Sequence, residues 1–182
     1  TVGLAGCVEN DIFMIVQMGT AGPGCKPAAL VGGDYVSTGV LDVSLNTGYT
    51  AFPLLQNALT SPSTTDAPER NILHLKQFNV SVDLGGIPVS VPPELLAYPV
   101  LTSGTLLPGG QAAVKIKLIP DQLIAAISGV IPANLKPQVL VRVRAVAGRS
   151  GGELTTPVFE FPLTLCKGCL VDLRDPCPDP AD

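Results

Sequence analysis

Tryptophan is absent from this 182-residue chain, aromatic residues make up 4%, histidine occurs once and charged residues amount to 14%. Each shortage removes a class of function. With no Trp and few Phe or Tyr, stacking platforms for sugar rings or bases are nearly absent. The charged share lies well below the usual quarter or so. The pI is near 4.9, and no Lys/Arg cluster exceeds the spaced pair Arg142 and Arg144. Both facts argue against nucleic acid as a partner. No apolar run approaches the roughly 20 residues of a membrane-spanning helix.

The single histidine leaves little material for nucleophile-and-base chemistry. His74 stands between Leu73 and Leu75, so strand alternation turns it toward solvent. Thr102-Ser103-Gly104 lacks the first glycine of a Gly-x-Ser-x-Gly elbow, and Arg149-Ser150-Gly151 follows Gly148 at the wrong spacing. The carboxylates Asp172, Asp175, Asp179 and Asp182 lack the alternation and glycine of a calcium loop and read as a solvated tail. The expectation is a non-enzymatic protein with no catalytic residue, no cofactor and no metal.

What is present is punctuation and apolar content. The chain holds 19 Gly and 18 Pro and carries a net charge of −4, with a mean hydropathy of +0.41. That is the reverse of a disordered composition and suits one domain. Apolar, β-branched runs recur between turn residues at 12–18, 35–45, 49–55, 73–84, 89–91, 113–119, 138–147 and 158–165. Val139, Val141, Val143 and Ala145 alternate with Arg142 and Arg144, and Val114, Ile116 and Leu118 with Lys115 and Lys117, so both strands have one wet face. Between them 121–128 predicts one short helix, with Asp121 as its cap and Gly129 as its stop. Residues 149–153 form a hairpin turn that pairs 138–147 with 154–165. The polar stretch 57–71 reads as an exposed loop.

The predicted fold class is all-β with long loops. The strand order, Pro-Gly turns and terminal cysteine pair resemble an antiparallel immunoglobulin-like β-sandwich of exported bacterial proteins. The missing tryptophan departs from the Cys-Trp-Cys core of true immunoglobulin domains.

Thr1 to Cys7 ends in Leu4-Ala5-Gly6-Cys7. This segment resembles the lipobox of bacterial lipoproteins, in which an aliphatic residue and two small residues precede the lipidated cysteine. The resemblance implies that residues 1–6 end a signal peptide and that Cys7 is the lipidation site. Because Val8 is not Asp, it also implies the outer membrane of the bacterial cell envelope. The alternative is an ordered N-terminal segment with Cys7 in a disulfide and an extracellular location.

Setting Cys7 aside leaves Cys25, Cys166, Cys169 and Cys177, an even number suited to disulfides in an exported protein. Three pairings are open, and Cys169–Cys177 with Cys25–Cys166 is the favoured one. The domain reading is then 7–165 for the sandwich and 166–182 for a disulfide-bearing tail. Cys166-Lys167-Gly168-Cys169 also has the spacing of a redox motif or half a zinc site, but no helix start and no second ligand pair accompany it.

Together these readings describe a cell-envelope lipoprotein, held to the membrane by its lipid anchor only, serving as a structural or adaptor component. Its partners are other envelope or filament proteins, further copies of this chain included. One alternative is a filament or surface-layer subunit that donates the strand 12–18 to a neighbour. The other is a thiol-disulfide protein using Cys166 and Cys169.

Overall fold

The computed structural model describes residues 12–19, 35–61 and 70–170. The all-β expectation holds, with two sheets and few helical turns among these residues. The smaller sheet contains β1 (Phe13–Gly19), β3 (Tyr49–Asn57), β6 (Gln111–Ala113) and β7 (Ile116–Ile119). The larger sheet runs in the order β2 (Gly39–Asp42), β10 (Phe159–Cys166), β8 (Gln138–Arg149), β4 (Leu73–Asp83) and β5 (Ala97–Leu106). A short β9 (Gly152–Thr155) pairs with the far end of β8. The helices are α1 (Pro93–Leu96) and α2 (Asp121–Ile127).

Alternation explains which faces close on each other. Val139, Val141, Val143, Ala145 and Ala147 of β8 are buried, and Arg142 and Arg144 point outward as expected. In β4 the buried positions change phase from Leu73 and Leu75 to Phe78, Val80 and Val82. The change coincides with a β-bulge between Leu75 and Gln77, which leaves Lys76 as the extra residue against β8. His74 is exposed, as its alternation predicts. Phe13, Ile15, Met18, Leu55 and Leu118 of the smaller sheet join Phe78, Val141 and Phe161 of the larger one in a single core. Each fully buried side chain of this size contributes about 1.5–3 kcal/mol.

Several expectations need correction. β2 runs parallel to β10, from Gly39 beside Leu163 to Asp42 beside Cys166, so the larger sheet is not wholly antiparallel. A 3-10 turn, Val43–Leu45, then carries the chain from β2 of the larger sheet toward Tyr49 in the smaller one. The run 113–119 is broken into β6 and β7, which face different halves of β3. Pro53 lies between those halves; it has no amide to donate, and Val114 instead donates to its carbonyl at 3.2 Å.

Residues 89–91 are not a strand, and β5 was not anticipated. β5 contains Pro99 and Gly104 and has mostly exposed side chains, which is tolerated because it is an edge strand. The hairpin turn after Arg149 is present, but β9 ends at Thr155 and a separate β10 pairs with the first half of β8. Buried Thr156 bridges the break, accepting from the Ala145 amide through Oγ1 at 3.0 Å and donating its own amide to the Ala145 carbonyl at 3.0 Å.

The helix predicted at 121–128 spans Asp121–Ile127 and buries Leu123, Ile124 and Ile127. Its cap position is Pro120, not Asp121, whose carboxylate serves elsewhere: it accepts from the Gly48 amide and pairs with Lys117 Nζ at 3.0 Å. The loop predicted at 57–71 lies at 58–72, between β3 and β4. Asn57 ends β3, is fully buried and binds the carbonyls of Asn71 at 2.8 Å and Leu106 at 3.3 Å, so it clamps the loop's base. The middle of that stretch, 62–69, lies outside the described residues. None of the described helices is long and apolar enough to cross a membrane.

Candidate functional site

Two features of the larger sheet concentrate chemistry. The first is at the shared end of β2 and β10. Cys166 and Cys169 are bonded to each other, with Cα atoms 5.9 Å apart. The favoured pairing of Cys169 with Cys177 and Cys25 with Cys166 is therefore corrected. Gly168 explains the local closure: at φ +71° it adopts the left-handed conformation that turns the chain back within four residues. Cys7, Cys25 and Cys177, and the acidic tail 171–182, lie outside the described residues.

Asp42, which the sequence reading did not single out, organises this end. Its carboxylate is fully buried and accepts four hydrogen bonds: Ser44 N at 2.9 Å, Ser44 Oγ at 2.6 Å, Gly168 N at 2.9 Å and Leu170 N at 2.9 Å. Burial alone would raise its pKa, but the four donors outweigh burial and hold it well below the usual carboxylate range. A signal did exist in the sequence. Asp42-Val43-Ser44 is the local pattern of an Asp that caps its own following turn.

Asp42 and the two sulfurs lie within 4.8 Å of one another. As a disulfide the sulfurs are uncharged, and the carboxylate's lone pairs are already committed to four donors. A cation would therefore have to open the bridge and displace backbone amides. The same carboxylate bears on thiol exchange. An attacking thiolate would reach the exposed Cys169 sulfur and expel buried Cys166 as a thiolate beside a fixed negative charge. Like charge makes that a poor leaving group, so the arrangement favours the closed bridge.

The second feature is the outward face across β5, β4 and β8. Cross-strand register places Ala97, Ser81 and Arg142 in one row and Pro99, Asn79 and Arg144 in the next. These residues, with Gln77 and Val158, line an open groove of about 540 Å³. Arg142 is neutralised by Glu160 at 3.0 Å and Asp83 at 3.7 Å. Along the rim, β5 contributes ten residues without a charge, and Leu101 is 79% exposed. The sequence showed Arg142 and Arg144 on one face but not the groove, because its walls come from three distant segments.

Comparison of the chain with protein-family models and with curated proteins finds no match in either.

Proposed function

We propose that this chain is a non-enzymatic adaptor or structural module of the bacterial cell envelope, anchored through a lipid on Cys7. The observation that carries the reading is β5: an uncharged, ten-residue edge strand whose most prominent side chain, Leu101, is 79% exposed. A large apolar side chain on an uncharged edge is costly in a free monomer and useful in an interface. The cysteines support export and anchoring. With Cys166 joined to Cys169, three cysteines are left, and lipidation of Cys7 leaves an even pair.

The strand order supports an immunoglobulin-like sandwich of variable type. β1, β3 and β6/β7 correspond to strands A, B and E, and β10, β8, β4 and β5 to G, F, C and C′, with β2 as the half of strand A that crosses to lie beside G. The parallel β2–β10 pair fits that crossing. The envelope-adaptor reading is favoured over strand donation because β1 is paired with β3 of its own chain and buries Phe13, Ile15 and Met18 in its own core.

The test is mass spectrometry of the N-terminal peptide from membrane-fractionated protein, combined with sedimentation of the detergent extract. A diacylglyceryl-modified Cys7 in a species larger than the monomer is expected. An unmodified N-terminus upstream of Cys7 in a monodisperse monomer would overturn the reading.

A further inference from the structure

The two arginines on the outward face of β8 stand in different electrostatic states. Arg142 is held between two carboxylates. The guanidinium of Arg144, two residues on and exposed, makes no ion pair or hydrogen bond with any described residue. Its cross-strand neighbour on β4 is the uncharged Asn79. Gln77 Nε2 donates to Asn79 Oδ1 at 2.7 Å, which leaves the Gln77 carbonyl and the Asn79 amide protons unused among the described residues. The facing wall, Ala97 and Pro99, is short and apolar.

An unpaired guanidinium beside a side-chain amide selects a carboxylate, which can take two parallel N–H bonds from Arg144 and a third from Asn79. The small residues opposite leave room for a backbone in extended conformation. The chain as a whole carries −4, so a second copy is repelled in general while an acidic side chain is attracted at this point. We propose that the groove docks an extended segment of a partner protein, with an Asp or Glu carboxylate on Arg144. This names the partner chemistry of the adaptor reading above and rests on it.

The probes are two capped pentapeptides, acetyl-Thr-Val-Asp-Val-Thr-amide and its Asn counterpart, titrated into the nitrogen-15-labelled full chain and followed by NMR. The expected result is a shift of the Asn79, Ala97, Arg144 and Val158 amides by the Asp peptide. Binding should weaken about tenfold or more with the Asn peptide or with Arg144→Gln, and less with Arg142→Gln. An equal response to both peptides, shifts only elsewhere, or no shift up to millimolar peptide would overturn the proposal. If replacing Asp172, Asp175, Asp179 and Asp182 by Asn shifts the Arg144 signals with no peptide added, the occupant is the chain's own tail and the partner assignment fails. Failure here, with heterologous cross-links still forming at Leu101 in cells, removes the carboxylate groove but not the adaptor reading. Loss of both removes the adaptor reading too.

Discussion

The Asp42 carboxylate accepts the Gly168 amide at 2.9 Å across 126 residues of chain, fastening the disulfide loop to the parallel strand β2. A buried charge with four donors is stabilising only while the donor set is complete. Asp42→Asn puts an amide group opposite donors that need an acceptor. We expect a loss of about 2–3 kcal/mol, read as a lower urea midpoint with unchanged slope.

The same carboxylate sets a pH dependence. Its folded pKa is depressed, so its contribution is fully present above the ordinary Asp value of about 3.9 and is lost as pH falls toward the lower folded value. Stability measured by denaturant unfolding should drop below about pH 4. In Asp42→Asn that part of the acid sensitivity should be missing.

The Cys166–Cys169 bridge closes a four-residue loop, and its loss should cost about 2 kcal/mol on chain-entropy grounds. Replacing both cysteines by Ser is expected to lower the thermal midpoint without changing the far-ultraviolet spectrum. Under non-reducing digestion, a peptide joining Cys25 to Cys177 should accompany the Cys166–Cys169 loop. A free thiol at Cys25, or a disulfide to Cys7, would contradict the cysteine assignment.

Gly48 marks a close approach between β3 and the strand before α2. A Cβ there would run into the Ile119 carbonyl and the Asp121 carboxylate, the latter held by the Gly48 amide and Lys117. Gly48→Ala should destabilise by about 1–3 kcal/mol, as overpacking does. It should also release Asp121, whose pKa is lowered by Lys117 and the Gly48 amide against the opposing effect of burial. A rise of the Asp121 pKa toward its ordinary value, followed by NMR, checks the link.

Much of this fold was legible because in β8 Val139, Val141, Val143 and Ala145 alternate with Arg142 and Arg144, so its two faces differ in polarity. β5 escaped because an edge strand with exposed side chains has no buried face to impose period two, and Pro99 and Gly104 read as loop. Asp121 was misplaced as a cap because its partners, Gly48 and Lys117, are set by tertiary contact and by the preceding strand. The cysteine pairing turned on Gly168, whose left-handed backbone no spacing rule reveals. The groove was illegible for a simpler reason: residues near 77–81, 97–99 and 142–144 meet only through strand register.

The central claim is that the outward face around β5 is an interface in the cell. A photo-cross-linking residue placed at Leu101 in the full chain, with Val130, 40% exposed, as a surface control, tests it directly. Adducts to a different envelope protein from Leu101, absent from Val130, are the predicted result. Equal or no adducts at the two positions would contradict the account.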